Sequence, residues 1–113
     1  MPFIQVKTNT AISSETETAL KADLGQAISL LPGKSENWLM IDFAPEAHLW
    51  FRGTDAPTVI AEVSVFGSFS GGDYEKLTAE LCRIFSSRLP VPSDRIYVKY
   101  SEVPFWGWNG SNF

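Results

Sequence analysis

The apolar stripe formed by Leu20, Leu24, Ala27 and Ile28 recurs 57 positions later as Leu77, Leu81, Ile84 and Phe85. Each set falls at helical spacing and gives its helix one buried face. Ser35-Glu36 and Ser93-Asp94 also correspond, at a shift of 58, and each pair precedes a strand-like stretch. Two amphipathic helices can match by chance, but the flanking serine–acid pairs argue for an internal repeat. The repeating unit is strand–helix–strand, with halves at roughly residues 2–50 and 58–106 of a single domain spanning 1–113. Two such units predict an α+β fold: duplicated β-α-β units forming a four-stranded sheet with two helices on one face. No helix remains to cover the other face. The stretch from Trp38 to Phe43 is apolar at nearly every position, as in a strand buried on both sides, so the chain is expected to be an oligomer in which sheets pack on each other.

The remaining elements follow from local signals. Residues 3–8, which alternate in part, and Arg95 to Tyr100, which alternate well, read as strands, as does the β-branched run from Val59 to Phe66. Ser14-x-x-Glu17 matches a capping box at the start of the first helix, and Pro32-Gly33 ends it. Asp73 or Gly72 is the expected cap of the second helix, which Pro90 and Pro92 close. Leu49-Trp50-Phe51 reads as a short strand. Arg52 to Pro57 and Gly67 to Gly72 read as loops.

Composition removes several classes of function. A net charge of -4 lacks the basic surface that non-specific nucleic-acid binding needs. No apolar run approaches the ~20 residues of a membrane span. No secretory signal is visible, so the expected location is cytoplasmic, with any release independent of a signal peptide. A single cysteine, Cys82, and a single histidine, His48, permit neither an internal disulfide nor a His pair for metal; no metal and no cofactor is expected. What remains is chemistry open to an amine, a lysine or a carboxylate. Four Trp, eight Phe and three Tyr are more rings than a small domain readily buries, so several should line an interface or a pocket.

The amine candidate is Pro2. Removal of Met1 would leave a secondary amine at the tip of the first strand, held rigidly by the sheet. An α-amino group has an ordinary pKa of about 7.7–8.0, and burial or a neighbouring cation lowers it. A neutral amine near pH 7 is a usable general base. Resistance to aminopeptidases is the plainer explanation of a proline here. With Met1 retained, the Pro2 nitrogen is an amide and cannot act.

Five pieces in order resemble one family: Pro2 after Met1; Gly33-Lys34; Phe51-Arg52-Gly53-Thr54-Asp55-Ala56-Pro57; Asp94-Arg95-Ile96-Tyr97-Val98; and Gly107-Trp108-Asn109-Gly110-Ser111-Asn112-Phe113. With the repeat, nearly the full chain resembles the macrophage migration inhibitory factor and D-dopachrome tautomerase family of the tautomerase superfamily. The resemblance implies a homotrimer with sites between adjacent subunits. It implies cofactor-independent keto–enol tautomerisation of phenylpyruvate-like or dopachrome-like aromatic acids. Pro2 takes the place of the family's base, and Lys34 that of the lysine pairing with the substrate carboxylate. Phe66 falls on the position whose backbone N–H helps hold substrate, and Tyr97 on a tyrosine supplied by the neighbouring subunit. Trp106, Trp108 and Phe113 fall on tail aromatics of the pocket wall. Lys99 stands where the well-known animal member has asparagine, which points to altered preference at the distal end of the pocket.

Several departures bear on what the chain does. Thr58 and Ala61 stand in place of a Cys-x-x-Cys motif, so no thiol–oxidoreductase activity is expected. Arg52 replaces a glycine. Outside the resemblance, Lys34 can simply complement a helix end, Lys99 can be solvated and the tail aromatics can be packing. The competing function is a cytokine-like interaction protein with a weak or vestigial pocket and a protein receptor as partner. A dehalogenase or hydratase of the same superfamily would want more arginines and acids than Arg52 supplies.

Overall fold

The alternation that marks each strand has a direct counterpart in what the sheet buries. In the computed structural model, which describes residues 1–113, strand β1 (Pro2–Thr8) buries Pro2, Ile4, Val6 and Thr8 and turns Phe3, Gln5 and Lys7 the other way. Strand β3 (Val59–Val65) repeats the pattern with Val59, Ala61, Val63 and Val65. The two lie antiparallel at the centre, with Pro2 opposite Val65. Strands β2 (Met40–Ala44) and β4 (Ile96–Glu102) flank them in parallel, giving the order β2-β1-β3-β4. Helices α1 (Ser14–Ala27) and α2 (Gly71–Arg88) pack on each other and bury the stripes read from the sequence. Leu20, Leu24, Ile28, Leu77, Leu81 and Phe85 are fully buried with Ile4 and Val6. Each such side chain contributes about 1.5–3 kcal/mol on leaving water.

The two halves keep step. β1 and β3, α1 and α2, and the 3-10 turns Glu36–Trp38 and Ser93–Arg95 all start 57 residues apart. Their helix caps keep the same offset. Ser13 accepts from Thr16 N–H, and Ser70 forms a reciprocal capping box with Asp73. The caps therefore fall one residue before Ser14, and two and three residues before Gly72 and Asp73. At each, a serine hydroxyl reaches the third amide of the helix, where otherwise a free N–H would remain.

Three further expectations change. Trp38 lies in a 3-10 turn, and β2 starts at Met40. β2 then alternates, with Met40 and Asp42 more exposed than Ile41 and Phe43. The uncovered face is consequently not apolar throughout: a row of Asp42, Gln5, Glu62 and Lys99 crosses it. Gln5 donates to Asp42 at 3.0 Å, and Lys99 meets Glu62 at 2.9 Å. Apolar contact is left to Phe3, Met40, Ile60 and Tyr97 at its margins. Leu49-Trp50-Phe51 forms no strand; only a bridge joins Phe51 and Thr54.

That bridge closes a tight turn in which Arg52 and Gly53 both have positive φ, 52° and 75°. Arginine in this region is strained, and its neighbours hold it. Arg52 meets Asp94 at 3.3 Å and lies over the Phe51 ring. Arg95 lies over the same ring and donates to the carbonyls of Phe51, Thr54, Ala56 and Pro57 at 2.9–3.3 Å.

Candidate active site

The end of the sheet where β1 begins gathers most of the singled-out residues. Pro2 is buried on the helix-facing side of β1. Beside it opens a cleft of about 550 Å³ bounded by Met1, Pro2 and Phe3, by Trp38 and Met40, and by Trp106 and Trp108. The tail builds one wall: β5 (Gly107–Trp108) and β6 (Ser111–Asn112) form a small hairpin, with positive φ at Asn109 and Gly110. Those angles suit an Asn-Gly turn. The hairpin carries Trp108 and Phe113, whose rings lie 6.2 Å apart. Trp38 meets Trp108 edge-on at 4.9 Å, and Phe113 also contacts Phe66 at 5.8 Å. Trp38 was not among the sequence candidates. Nor were Phe3 and Met40, which line the cleft beside it. The tail places Trp38 there through long-range packing that no local pattern announces.

Lys34 reaches this region from the turn after α1, where Gly33 has φ 81°. Its ammonium donates to the Phe66 carbonyl at 2.8 Å and sits 5.5 Å from the centre of the Phe69 ring. The Phe66 N–H donates to the Met1 carbonyl at 3.0 Å. The amine of Met1 is lowered to about 6, by burial first and then by the hydrogen bonding and charge of Lys34. Both effects disfavour a second cation there. The neutral form of the Met1 amine is thereby favoured.

Tyr97 and Lys99 stand apart. Both are on β4 and face the uncovered side of the sheet, with Tyr97 opposite Ile60 and Lys99 opposite Glu62. Measured along the strands they lie five and three residues from the level of Pro2, about 17 and 10 Å. Tyr97 packs edge-on against Phe51 at 4.9 Å and Lys99 is paired with Glu62. Within one chain the site unites Pro2, Lys34, Phe66, Trp106, Trp108 and Phe113, and leaves these two elsewhere.

A family model described as macrophage migration inhibitory factor (MIF) matches residues 1–113. The chain is 30% identical to macrophage migration inhibitory factor of Mus musculus, covering 100% of this chain and 99% of that protein. Among solved structures it is similar to MIF2 of Leishmania major, with a TM-score of 0.93 at 27% identity over 100% of this chain and 97% of that one. The homologue from Prochlorococcus marinus gives 0.83 at 27% identity, covering 98% of each chain.

Proposed function

This chain belongs to the macrophage migration inhibitory factor family, and from that premise we propose that it is a cofactor-independent keto–enol tautomerase whose general base is Pro2, freed by removal of Met1. Family membership supports a tautomerase or MIF-like role in general terms. The finer reading draws on one observation above all: the Met1 amine, at this end of β1, is partly buried at an aromatic-walled cleft and near Lys34, and its pKa is lowered to about 6. The same surroundings act on the Pro2 nitrogen once it is an amine.

The chemistry follows from the groups present. Lys34 pairs with the carboxylate of an aromatic 2-keto acid, and the Phe66 N–H holds a second substrate oxygen. The neutral amine takes the proton from the carbon next to the carbonyl. Negative charge gathers on the carbonyl oxygen, and return of the proton to that oxygen gives the enol. A positioned base of this kind contributes about 10²–10⁴ in rate. The rings of Trp38, Trp106, Trp108 and Phe113 suit a flat aromatic substrate. Tyr97 and Lys99 reach such a site only from a second copy, in keeping with a homotrimer. Light scattering of the purified protein tests that assembly.

The deciding experiment is an absorbance assay with phenylpyruvate on protein whose N-terminus is identified by mass spectrometry. Robust turnover with free Pro2, abolished when Pro2 is acylated, is the expected result. No turnover from a free Pro2 in an intact assembly would leave the interaction-protein reading in its place.

A further inference from the structure

The loop that leaves β3 after Phe66 is fastened by a side chain outside the site described so far. Glu102, the last residue of β4, lies opposite Val65 in the sheet register. Its carboxylate accepts from three donors: the Phe69 N–H at 3.1 Å, the Ser68 hydroxyl at 3.3 Å and the Tyr74 hydroxyl at 2.5 Å. The Tyr74 ring meets the Phe69 ring edge-on at 5.9 Å. Tyr74 is backed in turn by Tyr100, whose ring lies 4.5 Å away and whose hydroxyl donates to the Tyr74 carbonyl. Phe69 is thus fixed at its backbone by the carboxylate and at its ring by a tyrosine that the same carboxylate orients. The other face of this arrangement is Lys34, whose ammonium has two anchors, the Phe66 carbonyl and the Phe69 ring.

We propose that Glu102 is a positioning residue that sets the pose of Lys34 by fixing Phe69. The proposal rests on the reading of Lys34 as the partner of the substrate carboxylate. A lysine stem has four rotatable carbons, so an ammonium with one anchor in place of two loses more freedom when substrate arrives. Glu102 has no part in the proton transfer at Pro2. Its loss falls on substrate binding, and only weakly on the chemical step.

Two measurements on the full-length protein with free Pro2 test this, using Glu102→Ala, Glu102→Gln, Tyr74→Phe and Phe69→Leu. The first is the KM and kcat for phenylpyruvate. Glu102→Ala is expected to raise KM about three- to tenfold, the range of a lost cation–π anchor, with kcat within about twofold. Glu102→Gln, whose one amide oxygen can still accept from the Phe69 N–H and the Tyr74 hydroxyl but whose amide nitrogen then faces Ser68, and Tyr74→Phe should fall between Glu102→Ala and the parent. The second needs no substrate: the NMR shifts of the Lys34 side-chain protons, moved upfield by the Phe69 ring. Those shifts should relax in Glu102→Ala and vanish in Phe69→Leu. Unchanged Lys34 shifts in Glu102→Ala, or kcat and KM worsening together in step with a falling Tm, overturn the proposal. If the parent protein does not turn over phenylpyruvate, the tautomerase reading fails, and the Lys34 resonances alone decide the role of Glu102.

Discussion

Lys34 and Phe66 are joined head to backbone: the ammonium donates to the Phe66 carbonyl at 2.8 Å while the amide of the same residue points at the Met1 carbonyl, 3.0 Å away. One residue therefore fixes the cation and presents the donor that the first residue of the chain occupies. In the proposed mechanism an acyl group on Pro2 blocks the site twice, by converting the amine to an amide and by filling the Phe66 N–H.

It follows that an uncleaved N-terminal extension should lower kcat/KM for phenylpyruvate by about 10²-fold or more, the worth of a positioned base. The fold should be untouched, because β1 pairs identically from Pro2 onward. Paired assays and circular dichroism on tagged and processed protein check this. Equal activity in both would exclude Pro2 as the base.

The pH dependence has a definite sign. Burial, followed by Lys34, lowers the Met1 amine, and in the proposed mechanism the neutral form of the Pro2 amine acts. kcat/KM should therefore climb with pH through an amine pKa below the ordinary 7.7–8.0 and then level off. Lys34→Met removes the cation but not the burial. Its limb should move to higher pH while remaining below the ordinary value, and its KM should rise. An acid limb that stays in place would detach Lys34 from the amine.

Core truncation should act on stability alone. Leu24 is fully buried between α1 and the rest of the core. Leu24→Ala is expected to cost about 2–5 kcal/mol in urea unfolding, from lost transfer energy and the cavity left behind. The pH limb of the surviving folded protein should match that of the parent.

Arg95 gives a test of the far loop. Its guanidinium donates to four carbonyls of residues 51–57. Arg95→Ala should cost about 1–3 kcal/mol, since donors to several carbonyls vanish together. Hydrogen exchange should quicken across 51–57 and stay unchanged in α1.

The two helices were legible because their stripes are dense and repeat, and β1, β3 and β4 because polar residues interleave with β-branched and aromatic ones. The cap of α2 carried a readable signal, Ser70-Gly71-Gly72-Asp73, which the adjacent glycines and the acid itself disguised. Trp38 was misread because an apolar residue touching a strand looks like part of it, and only the tail, some 70 residues on, gives it a different place. Glu102 carries no local signal in the sequence; its three donors come from residues 68–74 and meet it only in the folded chain. Lys34, Trp108 and Phe113 were found through the family resemblance, since their residue types alone fit a solvated lysine and a packed tail equally well.

The shared offset of the two halves relates the ends of the sheet as by a quasi-dyad, and the consequence is a molecule with two poles of the same backbone and opposite uses. Asn9 follows β1 as Phe66 follows β3, and Thr58 precedes β3 as Met1 precedes β1. At one pole the backbone of residue 66 engages Met1 and Lys34. At the other the Asn9 side chain laces the incoming loop, accepting from Thr58 N–H at 2.9 Å and donating to the carbonyls of Asp55 and Ala56. Equivalent positions thus answer to different demands: damage at residue 9 unlaces a loop, whereas damage at residue 66 frees Met1 and Lys34 from their shared backbone anchor.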